Sequence, residues 1–224
     1  MIKVEECIAS LGVFLKWCIL QGVKVYDSSS REFVVNVVKR TLEEVRCALT
    51  FENLKDHPII RAFRDFYWRL GIDPTKVRPS AEALIRRALR YGSIPLINNI
   101  VDLGNVASMK TMIPIGIYDL DKVSLPLTLR RACEGEIFYP IGGKPVSLSR
   151  KEIVLVDSNN VVIHVFPHRD SAHTMVREDT KNILILACGV NGVEERKVQE
   201  AVEMASKLIL WLCSMQTPSN TSER

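Results

Sequence analysis

Asparagine and aspartate side chains recur at helical spacing in one central segment of the chain. Asn98, Asp102 and Asn105 stand at positions i, i+4 and i+7, so a helix would place them on one face. Further candidate residues follow at Gly116, Asp119 and Asp121. Amide and carboxylate groups on one face could hold a polar ligand through hydrogen bonds. The alternative is a solvated surface with capping interactions, because Asn and Asp commonly cap helices and form turns.

A second polar cluster, between residues 164 and 180, offers both hydrogen-bond donors and acceptors. Its candidate ligand-binding residues are Arg169, Asp170, Ser171 and Thr180, and the first two are the candidate catalytic residues. Such a loop could order the ammonium, carboxylate or hydroxyl groups of a substrate. The alternative is a surface loop with ion pairs.

The same cluster contains three histidines, His164, His168 and His173. They raise a metal-dependent hydrolase as a weaker alternative. Their spacing matches no zinc signature, so we expect neither a metal nor another cofactor.

A basic segment supplies candidate contacts to RNA phosphates at Arg78, Arg86 and Arg87. A run of arginines on a helix is usually a solvated face, so that alternative stays open. The net charge of +4 and the pI of about 8.7 permit nucleic-acid binding without demanding it.

Hydrophobic periodicity predicts which elements carry these clusters. Apolar residues at helical spacing predict helices over residues 31–49, 58–70, 80–91, 98–111 and 193–211, with Ser80 as an N-cap. Short or alternating apolar runs predict strands over residues 2–8, 12–19, 113–123, 136–139, 145–148, 153–156, 161–166 and 183–187, with an extended piece at 23–26. These elements predict an α+β fold with a mixed or antiparallel β-sheet core flanked by helices. We expect one domain over residues 1–213 and a flexible tail over residues 214–224.

Composition limits the class of protein. Of the 224 residues, 47% are hydrophobic, which is enough for a sizeable core. The charged residues, 25% of the chain, are spread along it, so the composition indicates no disordered linker. The six cysteines form no CxxC pair, so neither a zinc knuckle nor a disulfide framework is expected. Lys16 interrupts the apolar N-terminal stretch, and no signal-peptide cleavage motif follows it. We therefore expect a cytoplasmic protein without a membrane segment, whose oligomeric state the sequence leaves open.

Four longer segments follow one another along the chain: GIDPTKVRPSAEALIRRAL, INNIVDLGNVASMKTMIPIGIYDLDKV, RRACEGEIFYPIGGKPVSLSRKEIVLVDS and RDSAHTMVREDTKNILIL. In this order they resemble the B3/B4 domain, the amino-acid-checking module of the phenylalanyl-tRNA synthetase beta subunit, which also occurs as a free-standing protein. The resemblance covers about residues 55–190. It implies tRNA or aminoacyl-tRNA and an amino acid as partners, and hydrolysis of wrongly attached amino acids as the activity.

The resemblance also carries over a pocket scaffold. Its residues are Asp102, Asn105, Gly116, Asp119, Asp121, the Gly142–Gly143 turn and the loop around Arg169, Asp170, Ser171 and Thr180, and we expect Asn98 to shape the pocket with them. The synthetase pattern has a threonine and a histidine where this chain has Gly104 and Gly116, so two functional side chains are missing. One hypothesis is therefore a domain that binds the aminoacyl end of tRNA and hydrolyses mischarged aminoacyl-tRNA in trans. The other is a non-catalytic module that binds an amino acid or an RNA end.

Overall fold

A computed structural model describes residues 1–30 and 32–214 of the chain. The helices are α1 (Glu6–Ala9), α2 (Glu32–Ala48), α3 (Phe51–Asp56), α4 (Pro58–Arg69), α5 (Ser80–Tyr91), α6 (Asn99–Thr111) and α7 (Glu195–Ser214). The strands are β1 (Ile2–Val4), β2 (Phe14–Leu20), β3 (Ile115–Asp119), β4 (Leu127–Arg131), β5 (Ile137–Phe138), β6 (Val146–Ser147), β7 (Ile153–Val156), β8 (Val162–Phe166), β9 (Arg169–Asp170) and β10 (Ile183–Gly189). The predicted flexible tail lies outside the described residues except for Ser214, the last residue of α7.

The strands form three sheets. A five-stranded sheet has the order β1-β4-β7-β8-β9, and a three-stranded sheet has the order β2-β10-β3. β5 and β6 pair as a small hairpin-like sheet. Only the β1–β4 pair is parallel among the described strands, and the other pairs are antiparallel. The predicted α+β class with a mixed sheet core and flanking helices is confirmed.

The central helix α6 connects the helical layer to the three-stranded sheet. It contacts β3, α2, α5 and α7, while α7 also covers β2 and β10. Its apolar residues Ile100, Leu103, Val106 and Met109 are almost completely buried. Such burial is expected of a helix that packs against neighbours on several sides. This packing fixes α6 and β3 side by side.

Local signals explain where the helices next to the candidate site begin and end. Asn98 caps α6 by accepting a hydrogen bond from the N–H of Val101, 2.9 Å away. α5 ends at Gly92, whose φ of +66° is the left-handed conformation that a glycine C-cap adopts without strain. These ends hold the two helices that line the candidate site.

Several predicted boundaries are wrong. The predicted strand over residues 2–8 ends at Val4, because the chain turns into the short helix α1 at Glu6. Ser80 is the first residue of α5, and Pro79 takes the N-cap position. Residues 23–26 form no strand, and the predicted strand over residues 113–123 narrows to β3 before a short 3-10 turn.

Four elements, α1, α3, β4 and β9, were not predicted. Strand β4 lies between β1 and β7, and its buried Leu127 and Leu129 alternate with the partly exposed Thr128 and Arg130. Helix α3 begins at a reciprocal capping box between Thr50 and Asn53.

Among residues 1–30 and 32–214, no helix combines the length and the apolar character that a membrane span requires.

Candidate functional site

A basic cleft of about 580 Å³ opens between α5, the end of α6 and the β9 segment. Its cationic lining residues are Lys76, Arg78, Arg86, Arg87, Arg90 and Arg169. Asp170 is the one acidic residue that lines it among the described residues. This excess of positive charge in a concave surface favours an anionic ligand such as the phosphates of a nucleic acid.

The arginines of α5 differ in how far the protein already uses them. Arg86 donates from Nε to Oε1 of the fully buried Glu82 at 2.7 Å, and Arg64 reaches the same oxygen at 2.8 Å. Arg87 is exposed, and its guanidinium lies 5.7 Å from the centre of the Tyr91 ring. The Nε atom of Arg78 is buried, with no hydrogen-bond partner among the described residues, and the half-buried side chain lines the cleft. Arg87 is therefore the arginine most open to a ligand, whereas Arg86 mainly neutralises Glu82.

A second, smaller pocket of about 110 Å³ lies beside the cleft, between α6 and β3. Its apolar walls include Ile97, Val101, Ile115, Ile117, Met175 and Val176. Asn105, Ile115 and Asp170 line both the small pocket and the cleft. The two cavities therefore adjoin at these residues, and Asn105 and Asp170 are the polar side chains at this junction.

Asp170 is held at this junction by two buried donors. The hydroxyl of Tyr118 donates to Asp170 Oδ1 at 2.9 Å, and Nδ1 of His164 lies 2.8 Å from the same oxygen. On the other side of the ring, His164 Nε2 lies 3.6 Å from the sulfur of Cys188. A carboxylate oxygen can only accept, so Nδ1 donates to it, and Nε2 faces the Cys188 sulfur on the opposite side of the ring. No donor reaches Asp170 Oδ2 in the described part of the chain.

The buried members of this network are not reactive groups. Burial raises the pKa of the Tyr118 hydroxyl and that of the Cys188 thiol well above their ordinary values. Both side chains are fully buried, so a thiolate nucleophile has neither the ionisation nor the access that it needs. The Cys188–His164–Asp170 series therefore orients the carboxylate and does not act as a catalytic triad.

Gly116 makes room for the Tyr118 hydroxyl. The two residues point to the same face of β3, and a Cβ at position 116 would overlap the hydroxyl oxygen and lie 3.0 Å from Asp170 Oδ1. At Gly104 a Cβ would lie 2.5 Å from Cδ1 of Ile117. The spaces at these two glycines are thus filled by neighbouring side chains of β3.

His168 is a functional candidate that the sequence suggested only as a metal ligand. Its Nδ1 lies 2.8 Å from the carbonyl oxygen of Arg78, which can only accept, so Nδ1 carries the proton. Burial is the largest cause that lowers the pKa of His168 below its ordinary value of 6.5; the hydrogen bond to the Arg78 carbonyl opposes it, and the charge of Arg169 adds to it. At neutral pH the ring is therefore uncharged, and Nε2 is an acceptor with no hydrogen bond from the described residues, in a side chain that lines the cleft. The signal that could have found it is a histidine next to Arg169 and Asp170.

The polar stripe predicted on α6 divides between two roles. Asn98 caps the helix, and Asp102 is fully buried, where its carboxylate accepts from the N–H of Ile97 at 3.0 Å. Burial raises the pKa of the Asp102 carboxyl. Only Asn105 of the three lines the cleft and the small pocket.

The acidic residues after β3 also have structural contacts. Asp119 is buried and accepts from the Thr180 hydroxyl at 2.7 Å and from Lys122 at 3.1 Å, which ties β3 to the loop before β10. Asp121 is exposed and accepts from the side-chain amide of Asn182 at 2.8 Å. None of Asp119, Asp121 and Thr180 lines the cleft or the small pocket.

The remaining candidates surround Asp170. Ser171 is fully buried, and its hydroxyl accepts from the N–H of His173. The turn that contains Gly142 and Gly143 lies beside β9, because the N–H of Ile141 donates to the carbonyl of Asp170 at 3.1 Å. In the described part of the chain, no three His, Cys, Asp or Glu side chains converge to hold a metal ion, so the metal-dependent alternative has no ligand set there.

The sequence was compared with known proteins. A family model described as the B3/4 domain matches residues 62–214. The chain is similar to the phenylalanine–tRNA ligase beta subunit of Neisseria meningitidis serogroup B, at 27% identity over 165 residues that cover 63% of this chain and 21% of the subunit. It is also similar to that subunit of Carboxydothermus hydrogenoformans, at 33% identity over 132 residues that cover 58% of this chain and 16% of the subunit. The chain thus matches about a fifth of the length of these relatives.

The fold has a counterpart among solved structures. It is similar to the crystal structure of an N-terminal fragment of the phenylalanyl-tRNA synthetase beta-subunit from Pyrococcus horikoshii, with a TM-score of 0.52 and 16% sequence identity. That match covers 93% of this chain and 48% of the other. The family model spans α5, α6, β3 and β9, the elements that form the cleft and the small pocket. The resemblance inferred from the sequence is confirmed, and the chain belongs to the B3/4 domain family.

Proposed function

We propose that this protein binds the aminoacyl end of an RNA and hydrolyses, in trans, the ester bond between the amino acid and the terminal ribose. The observation that carries the proposal is the junction of the two cavities. A basic cleft suited to phosphates adjoins a small, mostly apolar pocket, with Asn105 and Asp170 lining both. An aminoacyl ester has the same sequence of parts: phosphate, ribose, ester and side chain.

The cleft would hold the RNA backbone through cations that are not committed to the fold. Arg87 is exposed and the half-buried Arg78 lines the cleft, so the guanidinium groups of both would donate to phosphate oxygens. Arg90 is exposed on the same helix, one turn after Arg86. The relatives are subunits of a tRNA ligase, which supports tRNA as the RNA. Because the chain matches only about a fifth of those subunits, attachment of the amino acid is not part of the proposal.

His168 would activate the attacking water. Its neutral ring presents Nε2 as the base, and the Arg78 carbonyl fixes the ring through Nδ1. As the water oxygen bonds to the ester carbon, Nε2 takes the water proton, and the guanidinium of Arg169 stabilises the negative charge that develops on the carbonyl oxygen. The bond to the ribose oxygen then breaks, and that oxygen receives the proton from the imidazolium. The products are a free amino acid and an RNA with a free terminal hydroxyl.

A deacylation assay tests this function. Purified protein is mixed with a panel of tRNAs that carry radiolabelled correct and incorrect amino acids, and the loss of label is followed at several enzyme concentrations. We expect at least one aminoacyl-tRNA to lose its amino acid faster than in the absence of protein. His168→Gln should reduce the rate by about 100-fold or more, in line with the usual contribution of a general base.

Arg61→Gln provides the matched control, because Arg61 lies on α4 and lines neither cavity. It should leave the rate unchanged. Rates equal to the protein-free control across the whole panel would refute hydrolysis.

Binding without turnover remains the second candidate function. It is favoured by Gly104 and Gly116, where Ile117 and Tyr118 fill the spaces that the threonine and histidine of the synthetase pattern would occupy. Calorimetry with non-hydrolysable aminoacyl-adenosine analogues separates the two: tight binding without release of the amino acid from tRNA would support a binding module.

A further inference from the structure

The small pocket has the capacity of a short side chain. A water molecule takes about 30 Å³ of liquid volume, so the pocket volume of about 110 Å³ corresponds to roughly four heavy atoms. Leucine, isoleucine and methionine have four side-chain heavy atoms, and valine has three. Phenylalanine has seven and tyrosine has eight, which is about twice what the pocket can hold.

The walls of the pocket agree with this size limit. Val101 of α6, Ile115 and Ile117 of β3, and Met175 and Val176 after β9 form an apolar lining. Its only polar side chains among the described residues belong to Asn105 and Asp170, and both also line the cleft. A phenol hydroxyl at the far end of the pocket would have no partner there, and an unpaired buried hydroxyl is costly.

Asp170 supplies the group that would recognise an amino acid at the entrance. Its Oδ1 is occupied by the Tyr118 hydroxyl and by His164 Nδ1, and these two donors fix the plane of the carboxylate. Its Oδ2 accepts from no donor in the described part of the chain, and the residue is partly exposed at the junction. A carboxylate oxygen in this position favours a positively charged donor, such as the α-ammonium of an aminoacyl group.

We propose that this site selects an aliphatic aminoacyl group of about four side-chain heavy atoms, with the side chain in the small pocket and the α-ammonium on Asp170 Oδ2. The inference rests on the proposed function, because it names the amino acid class that the same site takes. Asn105 faces both cavities and would donate its side-chain amide to the ester carbonyl. Selectivity thus comes from the volume between α6 and β3 and from one oriented carboxylate.

Calorimetry with non-hydrolysable 3′-aminoacylamino-adenosine analogues tests the size limit without depending on turnover. The leucyl, isoleucyl and methionyl analogues should bind at least about 100-fold more tightly than the tyrosyl analogue. Equal or tighter binding of the tyrosyl analogue would overturn the proposal. Tight leucyl binding without hydrolysis of leucyl-tRNA would refute the proposed hydrolysis alone, and hydrolysis without an aliphatic preference would refute the size limit alone.

Variants of the pocket wall should change the preference in opposite directions. Ile117→Ala removes three carbons from the wall, so the phenylalanyl analogue should gain at least about 10-fold relative to the leucyl analogue. Val101→Ile adds one methyl group and should weaken the leucyl analogue more than the valyl analogue. Ile59→Ala is the matched control, because Ile59 is a partly buried residue of α4 that lines neither cavity.

Each of these variants is first checked for a native circular-dichroism spectrum. If Ile117→Ala fails to fold, the Val101→Ile result decides. Unchanged relative affinities in the folded variants would overturn the assignment of the pocket.

Asp170→Asn tests the ammonium contact. The asparagine Oδ1 can still accept from Tyr118 and His164, while a neutral amide nitrogen replaces Oδ2. The wild-type protein should bind the leucyl analogue about 10- to 100-fold more tightly than the matched analogue that lacks the α-amino group, and Asp170→Asn should remove that difference. A difference that persists in the variant, or is absent from the wild type, would overturn the role of Asp170.

Discussion

Gly116→Ala is the sharpest test of the geometry around Asp170. The added methyl carbon would overlap the Tyr118 hydroxyl oxygen and lie 2.6 Å from Tyr118 Cζ. Tyr118 is fully buried, so its ring cannot swing into solvent to relieve the overlap. The variant must therefore displace the ring and break the 2.9 Å hydrogen bond to Asp170.

Three contributions determine how much Gly116→Ala should change the free energy of unfolding. Overpacking a core costs about 1–3 kcal/mol. Loss of a hydrogen bond to a charged acceptor costs about 1.5–3 kcal/mol. The smaller entropy of the unfolded alanine chain offsets about 0.4–1 kcal/mol, because the backbone at position 116 is not in the left-handed region. We expect a loss of about 2–5 kcal/mol in the free energy of unfolding.

A double-mutant cycle separates this cause from a general effect of the substitution. Tyr118→Leu removes the ring that blocks the new methyl group, so Gly116→Ala should cost much less in that background. The coupling energy should reach about 1–3 kcal/mol in urea-denaturation measurements of the four proteins. Additive effects of the two substitutions would refute the conclusion that the Tyr118 hydroxyl occupies the space at Gly116.

Three further predictions concern the cleft. The pKa of His168 lies below 6.5, and protonation removes the base, so the deacylation rate should fall as the pH drops through that pKa. A pH–rate profile of His168→Gln should lack this fall. The double variant Arg87→Gln, Arg90→Gln should have a shallower dependence of log affinity on log salt concentration for single-stranded RNA. The slope should fall by about 1.4, at about 0.7 for each lost phosphate contact. An unchanged slope would show that the RNA does not bind to these arginines. Glu82→Gln should lower the free energy of unfolding by about 3 kcal/mol, because it leaves Arg64 and Arg86 beside an uncharged buried amide. Glu203→Gln, at an exposed position of α7, should change it far less in the same measurement.

The folding of the helices near the site follows from local sequence. The spacing of apolar residues predicts α4, α5 and α6, and β3 follows from the short apolar run before Asp119. These segments fold as predicted because their signals lie within a few residues of each other. Strand β4 was not predicted because only two apolar residues, Leu127 and Leu129, carry its alternation.

The sequence places the candidate site near residues 98–121 and 164–180 but does not separate its ligand-facing side chains from its structural ones. Asn98 and Asp102 share a helical face with Asn105, yet the first caps α6 and the second is buried against the N–H of Ile97. Capping, burial and ligand binding all employ Asn and Asp, so residue type and spacing cannot distinguish them. The hydrogen bond between Tyr118 and Asp170 joins residues 52 positions apart and has no local signal.

The side chains around Gly104 and Gly116 alter the interpretation of these two glycines. Compared with the synthetase pattern, Gly104 and Gly116 indicate lost functional groups. In the folded chain, the hydroxyl of Tyr118 occupies the space at Gly116 and fixes a carboxylate at the junction of the two cavities. Where the synthetase pattern has a histidine, this chain thus has the hydroxyl of Tyr118, which lies two residues further along the same strand. Ile117 occupies the space beside Gly104. A small apolar pocket with an oriented anion at its entrance fits the proposed binding of an aliphatic aminoacyl group, and the wall variants at Val101 and Ile117 test that assignment.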